Sequence, residues 1–123
     1  MLKNYENLTF ELTDQEKQIL PLIIKGLNTK KGRENAITGD KICKAMNIQA
    51  PRLRKIISYI RVNNLIFGLC SANNGYYIAD NLKELEECII SLKQRIYTQV
   101  KVLNSLEQQT MMFGGTGQTT LFE

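Results

Sequence analysis

Histidine and tryptophan are both absent from this 123-residue chain. Histidine is the commonest metal ligand and the commonest general base near neutral pH, so its absence removes the usual routes to metal-dependent and acid–base catalysis. The twelve Asp and Glu residues lie mostly near predicted helix starts or on the last predicted helix, where capping and solvation explain them. We therefore expect a protein that is not an enzyme and that holds no metal and no cofactor.

Long apolar runs are also lacking, since no stretch of about 18 apolar residues occurs. Residues 1–12 do not have the basic and then apolar order of a signal peptide. The three cysteines, Cys43, Cys70 and Cys88, are an odd number without Cys-x-x-Cys spacing, whereas disulfide frameworks use even, closely spaced sets. These features predict a cytoplasmic protein with free, buried thiols and no membrane association.

Positive charge is unevenly distributed along the chain. Residues 25–61 contain ten Lys or Arg and two acidic residues, Glu34 and Asp40, which gives this segment a net charge of +8. The chain as a whole has a net charge of +4, so the other residues together carry −4. Such a concentration is typical of a face that binds phosphates, because each neutralised phosphate releases condensed counterions. A merely solvated basic surface is the alternative.

Capping signals and apolar spacing predict three helices in the first half of the chain. Thr13-Asp14-Gln15-Glu16 forms a capping box before a helix at about 14–27. A basic surface loop follows at 28–36, and Ile37 is a candidate for a one-residue bridge to a short strand. Thr38 then caps a helix at about 39–46, Asn47 ends it, and Pro51 suits the first turn of a third helix at about 50–63.

The third helix has one apolar and one cationic side. Leu53, Ile56, Ile57 and Ile60 form its apolar stripe, and at 100° per residue Arg54, Lys55 and Ser58 lie opposite, flanked by Arg52 and Tyr59. A β-hairpin is predicted after the third helix. Its first strand is indicated by the alternation of Leu65, Phe67 and Leu69, its turn by Ala72-Asn73-Asn74-Gly75, and its second strand by the run Tyr-Tyr-Ile-Ala.

A long amphipathic helix is predicted at 81–109. Its apolar residues recur at alternating spacings of three and four, and this heptad seam is interrupted by Gln99. The helix extends about 42 Å, so we expect it to dimerise in a parallel or an antiparallel coil, although folding back over the preceding domain is the alternative. The seam comprises Leu82, Leu85, Ile89, Leu92, Ile96, Gln99, Leu103 and Leu106.

The run from Ile37 to Ala79 resembles the winged-helix domain of the biotin-operon-repressor type, and more closely small phage and mobile-element winged-helix proteins. The residues that carry the resemblance are Thr38, Ile48, Leu53, Ile60-Arg61 and Gly75-Tyr76. Departures are Ile60 in place of a leucine, Gln49 where a hydroxyl cap is common and Asn64 where a glycine is usual. Asparagine tolerates the same left-handed conformation, so the fold is still expected.

The resemblance implies an α+β, mainly α, fold: a winged helix-turn-helix domain at 1–80 whose third helix enters the major groove of duplex DNA while the hairpin touches the flanking backbone. The protein would then be a transcriptional regulator or an accessory protein of a phage or mobile element. Arg61 and at least one of Tyr76 and Tyr77 are expected to pack structurally. The residues expected to face DNA are Lys41, Gln49, Ala50, Arg52, Arg54, Lys55, Tyr59, Asn73 and Asn74.

The segment 110–123 has no periodicity and is expected to be a flexible tail. Within it, Gln118-Thr119-Thr120-Leu121-Phe122 resembles the Q-x-x-L-F peptide by which bacterial replication and repair proteins bind the sliding clamp. Leu121 and Phe122 would fill an apolar pocket beside a hydrogen bond from Gln118. The alternative function is therefore an adaptor that recruits the sliding clamp.

Overall fold

The computed structural model describes residues 11–114 of the chain. The elements are α1 (Asp14–Leu27), a short 3₁₀ turn (Arg33–Asn35), α2 (Gly39–Met46), α3 (Ala50–Val62), β1 (Leu69–Ala72), β2 (Gly75–Ile78) and α4 (Leu82–Gly114). This composition confirms the expected α+β, mainly helical class. The described residues divide into two compact units, a first unit that ends at Cys88 and a second unit that begins at Ile89, inside α4.

The start of α1 contains the capping box that its sequence predicts. The backbone N–H of Thr13 donates to Oε1 of Glu16 over 2.8 Å, and the backbone N–H of Glu16 donates to Oγ1 of Thr13 over 3.2 Å. These bonds satisfy two amide groups at this end of the helix. At the other end, Asn28 is the C-cap residue of α1.

A tight turn joins α2 to α3. The Thr38 hydroxyl accepts a hydrogen bond from the backbone N–H of Lys41 at the start of α2. Asn47 ends this helix in the left-handed conformation at φ +56°, which asparagine tolerates better than most residues. Pro51 lies in the first turn of α3, where its missing N–H costs no intrahelical hydrogen bond. The bounds predicted for α2 are confirmed, and α3 ends one residue before its predicted end.

The hairpin pairs β1 with β2 in antiparallel register, from Leu69 opposite Ile78 to Ala72 opposite Gly75. The alternation that placed Leu65 and Phe67 in a strand is wrong, because β1 begins only at Leu69 and Phe67 is 91% exposed. The physical reason is that Gly68 adopts φ +76° and turns the chain before pairing begins.

The basic loop contributes more structure than its polar sequence indicates. Ile37 forms an antiparallel bridge with Tyr76, as expected, and Lys31 forms a parallel bridge with Ile78. The backbone N–H of Gly32 donates to the carbonyl of Ile78 over 2.8 Å. The segment 30–37 therefore lies along β2 and extends the pairing of the hairpin.

One apolar core lies within the first unit. Ile56, Ile60 and Tyr77 are fully buried, which confirms that at least one hairpin tyrosine belongs to the core. Arg61 donates from Nε to the carbonyl of Leu69 and from Nη2 to Oγ of Ser71, so the structural role expected for Arg61 is confirmed. The remaining core residues are Leu12, Ile23, Leu27, Ile42, Leu53, Ile57, Ile66, Leu69 and Ile78.

Helix α4 begins with a cap from Asn81, whose Oδ1 accepts from the backbone N–H of Glu84 over 2.9 Å. It extends to Gly114, so residues 110–114, which were expected to lie in the tail, are helical. None of the helices within residues 11–114 combines the length and the apolar character that crossing a membrane requires.

Candidate nucleic-acid interface

Six of the nine residues expected to face DNA are exposed on three segments of the first unit: Asn74, in the hairpin turn, and five others. Lys41 is in the first turn of α2, Gln49 and Ala50 start α3, Arg54 is one turn further along α3, and Asn73 is in the hairpin turn. Within residues 11–114, neither Lys41 nor Arg54 has a carboxylate within salt-bridge distance. Their charges are therefore directed to solvent, where a phosphate or a base edge can approach.

Two further predicted cations are held by a buried carboxylate. Glu16, whose side chain is 3% exposed, accepts from Nζ of Lys55 over 2.8 Å and lies 3.3 Å from Nε of Arg52. Arg52 also donates from Nη1 to Oε1 of Gln15. The Lys55 hydrogen bond, aided by the backbone N–H of Thr13, lowers the pKa of Glu16 despite its burial. Glu16 is therefore ionised at neutral pH and offsets positive charge on α3.

The Glu16 carboxylate lies in a groove of about 530 Å³ next to the turn between α2 and α3. Both cations that bind Glu16 stay partly exposed, Arg52 at 40% and Lys55 at 33% of their side-chain surface. An anionic ligand in this groove would meet both cations and would compete with Glu16 for them. The groove is lined by Glu16, Asn47, Ile48, Gln49, Pro51, Arg52 and Lys55.

Two other predicted contact residues are engaged within the fold. Tyr59 is partly buried and packs against the core. Asn74 is exposed, but its Nδ2 donates to the backbone carbonyl of Arg33 over 2.8 Å. This bond ties the hairpin turn to the 3₁₀ turn and leaves Asn73 as the freer of the two turn residues.

Arg33 is a residue whose role the sequence did not indicate. Its Nε donates to the Tyr77 hydroxyl over 3.4 Å, its Nη2 lies 3.3 Å from Oε1 of Glu87, and its backbone N–H donates to Glu84. The guanidinium carbon lies 5.8 Å from the Tyr77 ring centroid. Arg33 therefore joins the hairpin to the start of α4, and part of the basic segment serves the fold. No local motif marks this role, because its partners lie more than 40 residues away.

The predicted seam of α4 is largely accessible. Leu85, in the first unit, is partly buried. In the second unit, Ile89 is 42% exposed, Leu92 46% and Ile96 53%. Gln99 is exposed and Leu103 is partly buried. Gln118, Leu121 and Phe122, the residues of the clamp-binding pattern, lie outside the described residues.

No family model, curated protein or solved structure matches this chain. In the described range 11–114, no group of three or more Cys, Asp or Glu side chains is placed to hold a metal ion. The functional argument therefore depends on the geometry of the first unit and on the sequence patterns.

Proposed function

We propose that the protein binds duplex DNA through its first unit, as a regulator or accessory protein built on a winged helix-turn-helix. The observation that carries the proposal is the arrangement of α2, the Asn47 turn and α3, followed by a two-stranded hairpin, with Lys41 exposed on α2 and Ala50 and Arg54 exposed on α3. In helix-turn-helix proteins the second helix lies in the major groove and its N-terminal residues contact base edges. Here that helix is α3 and the hairpin is the wing.

The exposed side chains have chemistry that suits such a complex. Arg54 can donate two hydrogen bonds to a guanine edge, and Gln49 can pair with an adenine edge in the same groove. Lys41, at the start of α2, suits a backbone phosphate. Asn73 in the hairpin turn suits the flanking backbone. These four residues form the primary contact set of the proposal.

Arg52 and Lys55 have a conditional role. Both cations are bound to Glu16, so each would exchange one anion for another on contacting a phosphate. That exchange contributes less binding free energy than a contact from an unpaired cation. We therefore assign most of the charge-dependent affinity to Arg54 and Lys41.

Fluorescence anisotropy of a labelled duplex with the full chain tests this proposal. The double variant Lys41→Ala/Arg54→Ala should bind about tenfold more weakly at low salt, and the slope of log affinity against log salt should fall by about one, because Lys41 is the member of the pair assigned to a phosphate. The double variant Lys83→Ala/Lys101→Ala removes the same charge from exposed positions of α4 and is the matched control. An equal loss of duplex affinity in the two double variants, or no duplex binding by the wild type, would contradict the proposal.

The alternative function is an adaptor in replication or repair that recruits the sliding clamp. The pattern Gln118-Thr119-Thr120-Leu121-Phe122 favours it, since an extended peptide can place two adjacent apolar side chains in a pocket. Calorimetry of the full chain with a bacterial sliding clamp tests this function. Binding that Leu121→Ala/Phe122→Ala abolishes would support the adaptor, and absence of binding by the wild type would exclude it.

A further inference from the structure

We infer that the second unit pairs with the same unit of a second copy, in a parallel coil through the seam of α4 from Ile89 to Phe113. This inference does not depend on DNA binding. Over this stretch the seam keeps its alternating spacings of three and four for about three and a half heptads, which is the length that favours a coiled coil. Its residues are Ile89, Leu92, Ile96, Gln99, Leu103, Leu106, Thr110 and Phe113.

The accessible apolar surface requires a partner. Ile96 is 53% exposed, Leu106 55% and Phe113 67%, and the stretch extends about 36 Å at 1.5 Å per residue. An apolar stripe of this length, interrupted by Gln99 and Thr110, is typical of a protein interface. Knobs-into-holes packing requires a helix with the same heptad repeat, and a second copy of α4 supplies an identical one.

The two polar residues of the seam decide the orientation. In a parallel pair Gln99 lies opposite Gln99 of the second copy, and Thr110 opposite Thr110, so their polar groups can bond to each other. In a fully overlapping antiparallel pair, Gln99 faces Leu103 and Thr110 faces Leu92. Each Gln99 amide would then be buried without a partner, which weakens association by a factor of roughly 5 to 150.

The charges flanking the seam favour the opposite orientation, but more weakly. The antiparallel pair places Lys93 beside Glu107 of the second copy, twice. Exposed ion pairs of this kind strengthen association by a factor of roughly 1.5 to 5 each. The parallel pair places Arg95 beside Val100 and Val102 beside Glu107, so no like charges meet. The matched polar layers therefore outweigh the two surface ion pairs.

A charge exchange at Leu92 tests both the pairing and its direction. Leu92 faces itself in the parallel pair, and it faces Thr110 in the fully overlapping antiparallel pair. Leu92 is 46% exposed in the single chain, so Leu92→Lys and Leu92→Glu should leave the fold intact, which circular dichroism checks. Each variant alone should associate at least 100-fold more weakly than the wild type in sedimentation equilibrium. An equimolar mixture should associate at least tenfold more tightly than either variant.

The control is Ile90→Lys, an equally drastic change at a 55% exposed residue that lies about 120° around the helix from Ile96. Its association should equal that of the wild type. A monomeric wild type, a mixture that associates no better than its components, or single variants that still dimerise would each overturn the inference. An Ile90→Lys effect as large as that of Leu92→Lys would also overturn it, because the seam would then not be the interface.

Discussion

Nζ of Lys55 lies 2.8 Å from Oε1 of Glu16, although the two residues are 39 positions apart in the sequence. The same carboxylate accepts from the backbone N–H of Thr13 and lies 3.3 Å from Nε of Arg52. Glu16 therefore caps α1 and also fixes α1 against α3. The two roles belong to one carboxylate that is almost fully buried, and they have separate consequences for stability and for binding.

Replacing Glu16 with glutamine should destabilise the protein by about 1–2 kcal/mol at pH 7. Glutamine keeps an oxygen that accepts from Thr13, but it loses the charge that binds Lys55 and Arg52. The cost stays below that of a fully buried pair, because both cations are partly exposed and regain water. Urea unfolding of the wild type and of Glu16→Gln measures the difference, and equal stabilities at pH 7 would contradict this role for Glu16.

The destabilisation by Glu16→Gln should disappear in acid. The pKa of Glu16 in the folded protein is lowered from its ordinary value of 4.5 by the Lys55 hydrogen bond. A lowered carboxyl pKa contributes stability that is present above the ordinary value and is lost as the pH falls through the folded value. The difference in stability between the two proteins should therefore be full at pH 7, begin to shrink as the pH falls below 4.5, and vanish only below the lowered pKa of folded Glu16. A difference that does not depend on pH would show that packing, and not charge, is responsible.

The same substitution should strengthen DNA binding. Without the Glu16 carboxylate, Arg52 and Lys55 no longer have an anionic partner in the protein and can both bind a phosphate. We therefore expect the affinity for DNA to increase about threefold or more at low salt. Glu107→Gln is the matched control, because it removes one negative charge from an exposed position of α4. Anisotropy titrations compare the two variants with the wild type. An equal increase in both would mean that only net charge matters.

Gly75 should not tolerate a side chain. A Cβ atom there would overlap the carbonyl oxygen of Ile37, and Gly75 adopts φ +119°. We expect Gly75→Ala to destabilise the protein by about 2 kcal/mol or more, because neither backbone can move without breaking the Ile37 bridge to Tyr76. Gly26→Ala is the control: nothing lies within 4 Å of its Cβ, so it should stabilise α1 by about 0.4–1 kcal/mol. Thermal unfolding of both variants tests the contrast.

The three thiols should react at different rates. Cys70 is fully buried, and burial, followed by the neighbouring Cys88 thiol, raises its pKa to about 12. Cys43 and Cys88 are partly exposed. Since the thiolate is the reactive form, titration of the native protein with a disulfide reagent at pH 8 should modify two thiols first. The third thiol should react only on unfolding, and three equally fast thiols would contradict the burial of Cys70.

Local signals explain why so much of the fold could be predicted from the sequence. Thr13 and Thr38 are helix caps whose partners lie three residues away, so the starts of α1 and α2 are encoded within one turn. The start of β1 could not be predicted in this way, because the positive φ of Gly68 overrides the alternation of Leu65 and Phe67.

The candidate site could be predicted only in part. Periodicity placed Arg54 and Lys55 on the polar side of α3, and both lie there. Helical spacing does not show which cations have partners, and the Glu16 partner of Lys55 comes from a distant segment through tertiary packing. The pairing of Lys31 with Ile78 has the same origin. The sequence therefore identifies the cationic face, and the structure divides it into paired and unpaired charges.

Mapping the bound duplex on the full chain by amide chemical-shift perturbation tests duplex DNA binding most directly. Titration of ¹⁵N-labelled protein with a duplex of about 20 base pairs should shift the amides of Lys41, Gln49, Ala50, Arg54 and Asn73. The amides of residues 95–109 on α4 should be unaffected. Perturbations confined to α4, or none at duplex concentrations above the expected non-specific Kd of about 10⁻⁴ M, would contradict DNA binding through α3 and the hairpin.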